Sequence, residues 1–230
     1  MDAEKNFKIG RSELIMDFFG DEPEDIPERM LEFNELMMKY NAVIREVTTK
    51  LEVLNDELSQ SRQHNPIETI SSRIKKPLSI AQKLQRRGEP VSIESISRCL
   101  NDVAGIRVVC PFIDDIYDIA GMLTRQDDVT VIECKDYIKN PKPNGYRSLH
   151  LILEVPVFFS HYKQPMRVEV QIRTVAMDFW ASLEHQIRYK NDSPETRKIA
   201  DELKECADVI AQTDRKMQNL RDRVQAKAGR

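Results

Sequence analysis

Two carboxylates draw attention by the company they keep. Glu169 lies in Arg167-Val168-Glu169-Val170-Gln171-Ile172-Arg173. This alternation predicts a strand with Val168, Val170 and Ile172 on one face and the polar residues on the other. Met177, Phe179 and Trp180 follow at once, suggesting a well-covered sheet, where a carboxylate needs a cation or metal partner. Asp102 supplies a second carboxylate, in Asn101-Asp102-Val103-Ala104-Gly105-Ile106-Arg107, just before an apolar strand. Two carboxylates from neighbouring strands suit Mg²⁺ when substrate phosphates complete its octahedron. Plainer readings exist for each: a solvated outer face for Glu169, a turn for Asp102 and a bend at Gly105. Spacing alone does not bring the pair together.

Cations gather in two islands. Residues 71–90 hold Arg73, Lys75, Lys76, Lys83, Arg86 and Arg87 against Glu89, a local charge of +5. On a helix after Pro77, Ser79 and Lys83 stand four apart and share a face; a solvated basic face is the competing reading. Residues 135–150 hold Lys135, Lys139, Lys142 and Arg147 against Asp136, a local +3. Here Pro, Asn and Gly build a loop that ends at Tyr146. A base can stack on a tyrosine while cations hold its phosphates; Tyr146 as a core residue at a strand start is the alternative.

The whole chain of 230 residues has a formal charge of −3, so the remainder outside the islands carries −11. That distribution disfavours an extended nucleic-acid surface and favours a compact polyanionic ligand. Neither G-x-x-x-x-G-K-[ST] nor G-x-G-x-x-G occurs, so a nucleotide would be held by side-chain cations and metal. No run of 18 apolar residues and no signal-peptide pattern is found, and no membrane association is expected. The cysteines Cys99, Cys110, Cys134 and Cys206 form no C-x-x-C pair. We therefore expect free thiols, with Cys110 and Cys134 buried in apolar strands, and a reducing cytoplasm.

The elements that must position these residues are legible from periodicity. Apolar residues from Met30 through Phe33, Met37, Tyr40, Ile44, Val47, Leu51 and Leu54 to Leu58 predict a long helix over 25–60. A similar stripe from Ile199 through Leu203, Cys206, Ile210, Thr213, Met217 and Leu220 to Val224 predicts another, with Ser193 as its cap and Pro194 at its first position. Each stripe could cover the chain's own core or a second subunit; two such flanks lean towards an oligomer. Between them, helices are expected over 76–87, 92–101, 113–124 and 174–190. Strands are expected at 106–110, 129–134, 148–155 and 167–173. The fold class is α+β (α/β-like), a mixed sheet flanked by helices.

Five blocks in order make the chain resemble the synthetase domain of the RelA/SpoT-type alarmone enzymes, particularly the stand-alone small alarmone synthetases. They are Arg73-Ile74-Lys75 through Ser79-Ile80 to Lys83, then residues 102–107, then Asn144-Gly145-Tyr146-Arg147-Ser148-Leu149-His150. Residues 168–173 and Glu184-His185 with Tyr189-Lys190 complete them. The resemblance covers residues 64–190 and implies a nucleotidyltransferase-like synthetase fold, with 1–63 a helical extension, 64–192 the core and 193–230 an oligomerisation helix. It implies pyrophosphate transfer from ATP to the ribose 3′-hydroxyl of GDP or GTP, giving ppGpp or pppGpp and AMP. Arg73, Lys75, Ser79, Lys83, Arg107 and Lys135 would hold ATP. Asp102 and Glu169 would bind Mg²⁺, and Glu169 would help activate the hydroxyl. Tyr146 would stack on guanine, with Lys142, Asn144 and His150 on the acceptor, and Gln171 and Arg173 in support.

Small members of the family often form tetramers, which the two stripes match. Multidomain relatives carry a hydrolase with paired His-Asp residues, whereas His64 belongs to no such dipeptide, so synthesis without hydrolysis is expected. Without ribosome-sensing domains, activation by starved ribosomes is not expected. Lys76 stands where longer relatives often have Asp, leaving GDP against GTP open. His185 is expected to be structural near the site and His161 solvated. A regulatory alarmone or single-stranded RNA has no assignable site. The alternatives are a catalytically silent nucleotide- or RNA-binding regulator and a helical scaffold.

Overall fold

The computed structural model describes residues 26–61, 64–187 and 194–228. In chain order the elements are α1 (Ile26–Ser61), β1 (Thr69–Ile74), α2 (Pro77–Arg86), α3 (Ile93–Cys99), β2 (Ala104–Cys110) and α4 (Ile113–Thr124). Then come β3 (Thr130–Asp136), β4 (Leu149–Phe158), β5 (Lys163–Thr174), α5 (Val175–Ile187) and α6 (Pro194–Ala228). The five strands form one sheet in the order β1-β2-β5-β4-β3. Only β2 and β5 run parallel; the other pairs are antiparallel. This is the mixed α+β sheet expected.

One face of the sheet carries the core. Ile106, Val108, Val168, Val170, Ile172, Leu151 and Leu153 are essentially inaccessible, and α1 lies across β1, β2, β5 and β4 against that face. Val43, Val47 and Leu51 of α1 have no exposed surface, each contributing about 1.5–3 kcal/mol by burial. The apolar stripe of α1 is therefore spent inside the chain. Only its first member, Met30, is well exposed, at 51%.

The C-terminal helix behaves differently. It docks through Ala207, Ala211, Asp214 and Gln218, all buried, while Met217, Leu220 and Val224 of its apolar stripe face outward. Polar bonds hold it down. The Thr174 hydroxyl lies 2.5 Å from Asp214, Gln218 and Arg221 each donate to Asp114 at 2.7 Å, and the Trp180 indole donates to the Leu203 carbonyl at 2.8 Å.

Several expectations are corrected. Strand β1 was not foreseen, because Thr69-Ile70-Ser71-Ser72-Arg73-Ile74 is an edge strand with little apolar alternation. Cys110 is buried, but Cys134 is exposed because β3 is the opposite edge. Gly105 is not a bend: it lies within β2, paired with Arg73 and Glu169. Phe179 does not cover the sheet but is 60% exposed. Ser193, like Tyr189 and Lys190, lies outside the described residues.

Local chemistry explains the short helices. Pro77 starts α2 where a missing N–H costs nothing, and Gly88, at φ +71°, releases the chain afterwards. Ser92 caps α3 by accepting the Ser95 amide at 3.1 Å. Buried Ile80, Ala81 and Leu84 anchor α2, and Lys83 points from it towards the end of β2.

Candidate active site

Register places the polar residues of all five strands in two adjacent rows on the open face of the sheet. Arg73, Gly105 and Glu169 stand side by side in one row. Ser71, Arg107, Gln171, His150 and Lys135 form the next. The parallel pairing of β2 with β5 is what brings Glu169 beside the segment opened by Asp102. Arg73, Asp102, Arg107, Glu169 and Gln171 line one cleft of about 220 Å³. Gly105 contributes no side chain to its floor; an added Cβ would meet Arg73 at 3.7 Å, ordinary contact. The glycine thus leaves room rather than relieving strain.

Asp102 is pinned at the mouth of β2. The Lys75 amide donates to the Val103 carbonyl at 2.8 Å, which holds the Lys75 ammonium 2.5 Å from Asp102 Oδ2. Lys83 reaches the same oxygen at 2.6 Å. Burial alone would raise the pKa of this carboxyl, but the two ammonium donors outweigh it and hold it below 3.8. Burial also lowers the pKa of Lys75, against the pull of Asp102. The other oxygen, Asp102 Oδ1, is buried and has no partner.

Glu169 is held by a relay across the sheet. His150 Nδ1 lies 3.1 Å from Oε1, and the Gln171 amide donates to Oε2 at 2.8 Å. Arg173 donates in turn to Gln171 at 2.8 Å. Burial of Glu169 is again outweighed, here by His150 and Gln171, and its pKa falls below 4.5. An ionised Glu169 can only accept, so His150 Nδ1 is the donor, and the other ring nitrogen, Nε2, lies 2.8 Å from the Tyr146 hydroxyl.

The loop between β3 and β4 forms an aromatic corner. Tyr137, Tyr146 and His150 meet edge to face with centroids 5.1–6.1 Å apart. The Lys142 ammonium lies 4.6 Å from the Tyr137 ring centre and 4.8 Å from that of Tyr146, where it is attracted by the ring faces. Lys135 pairs with Glu133 at 2.8 Å on the rim. Asn144 uses its amide twice: Nδ2 donates to Glu184 of α5 at 3.2 Å, and Oδ1 receives the Tyr146 amide within the loop. Ser79 is half-buried on α2, one turn before Lys83.

Sequence reasoning missed four residues. Tyr137 was hidden within the second cationic island, although an aromatic next to Lys139 and Lys142 was a usable signal. Asp178, on α5, lies 3.5 Å from Arg107 and 3.4 Å from Arg173, and nothing in its neighbourhood announced it. Ser71 and Ser72 line the cleft because they belong to the unforeseen strand β1. His185 is exposed rather than structural, and His161 is exposed as expected. His64 has no neighbouring aspartate in sequence but pairs through Nε2 with buried Asp115 at 3.0 Å, away from this cleft.

The arrangement has the chemistry of a metal-assisted phosphoryl-transfer site. An unpartnered buried oxygen on Asp102 fits a hard cation, and buried Nε atoms of Arg107 and Arg173 lack partners too, fitting phosphate oxygens. Asp102 and Glu169 offer two carboxylates, a donor set that suits a metal whose remaining shell substrate phosphates complete.

Residues 72–194 match the family model described as the region found in RelA / SpoT proteins. The chain is 39% identical over 209 residues to GTP pyrophosphokinase YwaC of Bacillus subtilis, covering 91% of this chain and 100% of that one. The small alarmone synthetase 1 from Bacillus subtilis, solved with its product pppGpp, superposes with a TM-score of 0.76 at 32% identity. That match covers 84% of this chain and 98% of the other. Small alarmone synthetase 2 from the same organism gives 0.73 at 43% identity, covering 83% and 98%. The chain belongs to the RelA/SpoT family, on the small alarmone synthetase branch.

Proposed function

We infer that this protein is a GTP pyrophosphokinase, transferring the β,γ-pyrophosphoryl group of ATP to the ribose 3′-hydroxyl of GDP or GTP. The products are AMP and ppGpp or pppGpp. The observation that carries this reading is the cleft itself. It holds two ionised carboxylates, one with an orphaned oxygen, beside Arg73 and Arg107 on the β1–β2 side, and the aromatic corner adjoins it through His150, which is bonded to Glu169. A silent nucleotide- or RNA-binding regulator is not favoured, since both carboxylates are in place and the relatives are pyrophosphokinases.

The residues act as follows. Arg73, Arg107, Lys75, Lys83 and Lys135 hold the ATP phosphates, with Ser79 beside Lys83. Tyr146 stacks on guanine while Lys142, Asn144 and His150 hold the acceptor. The 3′-oxygen attacks the β-phosphorus in line with the departing oxygen of AMP; the new O–P bond forms as the bond to AMP breaks. Glu169 receives the hydroxyl proton. His150 and Gln171 aim its carboxylate, and Arg173 holds Gln171. A Mg²⁺ ion shared by Asp102 and Glu169 would neutralise phosphoryl charge and acidify the hydroxyl.

Free thiols and nucleotide substrates support a cytoplasmic location. The outward stripes Met217–Leu220–Val224 on α6 and Val175–Phe179–Leu183–Ile187 on α5 support assembly of copies, with a tetramer favoured. The test of the reaction uses labelled ATP with Mg²⁺ and either GDP or GTP. Wild type releases AMP and a 3′-pyrophosphorylated product. Glu169→Gln, keeping size and hydrogen bonding, loses at least about 100-fold in turnover with its circular dichroism unchanged; turnover equal to wild type would sink the assignment.

A further inference from the structure

The turn that presents Tyr146 is fastened from behind by the C-terminal helix. Successive residues face opposite ways: Tyr146 reaches His150 in the site, whereas Gly145 and Arg147 on either side of it meet α6. Gly145, at φ +89°, lies so close that a Cβ would stand 2.6 Å from the Ala207 methyl. The Arg147 guanidinium donates to the Gly145 carbonyl at 3.0 Å and to the Ala207 carbonyl at 3.3 Å. Its other terminal nitrogen pairs with Asp208 at 3.0 Å. One fork thus grips both the turn and the helix.

Bonds within the loop do not do this job. The Gly145 amide to the Lys142 carbonyl, 2.8 Å, and the Lys142 amide to the Tyr146 carbonyl, 3.1 Å, fix the shape of the turn. They say nothing of where that turn sits over the sheet. Its place comes from Arg147 on α6 and from Asn144 on Glu184 of α5. No residue of α6 lines the cleft.

We propose that Arg147 and Asp208 are positioning residues through which α6 sets the affinity for the acceptor nucleotide without touching it. The proposal rests on the reaction assigned above. A tethered turn meets the purine with Tyr146 and Lys142 already in place, so less ordering accompanies binding. The donor nucleotide, held from β1, α2 and β2, is indifferent to this tether.

The test joins a structural and a kinetic arm on the full-length protein. Asp208 is half-exposed, so Asp208→Ala should fold as wild type does. Hydrogen exchange of residues 140–147 should accelerate in Asp208→Ala and in Arg147→Lys, which keeps the charge but loses the fork. The KM for GDP and GTP should rise about threefold to tenfold, with kcat and the KM for ATP within about twofold. Asp208→Glu, which retains a carboxylate, should recover most of the acceptor KM. Unchanged exchange in both variants overturns the tether. Faster exchange with an unchanged acceptor KM, or an equal rise in both KM values, overturns the positioning role. A wild-type protein that releases no AMP overturns the assigned reaction and the acceptor half of this proposal, while the exchange arm still decides the tether.

Discussion

At the residue scale the site is a study in opposed forces on two carboxylates. Burial disfavours the charge on Asp102 and Glu169, yet lysines in one case and His150 with Gln171 in the other hold both pKa values down. A carboxyl whose folded pKa is lowered stabilises the fold above its unfolded value, and this share is lost as pH falls through the lowered one. The window therefore lies below 3.8 for Asp102 and 4.5 for Glu169. Asp102→Asn removes its share and leaves Lys75 and Lys83 facing each other. It should cost about 1–3 kcal/mol at neutral pH and flatten the acid limb, as read by denaturant midpoints across acidic pH. Unaltered midpoints would show that the pair does not hold that strand end. The motif blocks made these residue types legible. They did not reveal that His150 links Tyr146 to Glu169, because that contact spans two strands and depends on tautomer and register.

Among the elements, legibility followed apolar patterning. Strands β2, β4 and β5 were readable because their alternation or apolar runs reflect one or two covered faces. Strand β1 was not, since an edge strand of Thr, Ser and Arg leaves no apolar period. The same blindness misjudged Cys134, whose apolar neighbours occupy an edge rather than a core. On α6 the difficulty reverses: apolar periodicity marked the outward stripe, while the docking face is made of alanines and hydrogen-bonded polar residues. Small residues allow the close approach on which the turn at Gly145 depends. Gly145→Ala must adopt positive φ and displace Ala207, so it should cost about 2–4 kcal/mol, measured as a lowered melting temperature. A melting temperature equal to wild type would mean that α6 can step aside freely.

For the whole molecule, the two long helices have separate duties. Helix α1 completes the hydrophobic core, and α6 is held by bonds to Asp114, Thr174 and the Trp180 indole. The outward α6 stripe then becomes available to another copy. Met217→Glu with Val224→Glu, both on exposed positions, should reduce the assembly mass in light scattering without lowering the ellipticity. A wild-type monomer at micromolar concentration would remove the tetramer. Asp214 adds a pH dependence opposite in sign to that of the site. Burial raises its pKa despite Thr174, so its contribution is greatest in acid and is lost as pH rises through the raised value. The tryptophan bonded to Leu203 is the chain's single one, and it sits where α5 meets α6. The protein consequently contains its own optical probe of that joint. A change in indole emission on adding GDP, absent on adding ATP, would report coupling between the acceptor and that joint without any label.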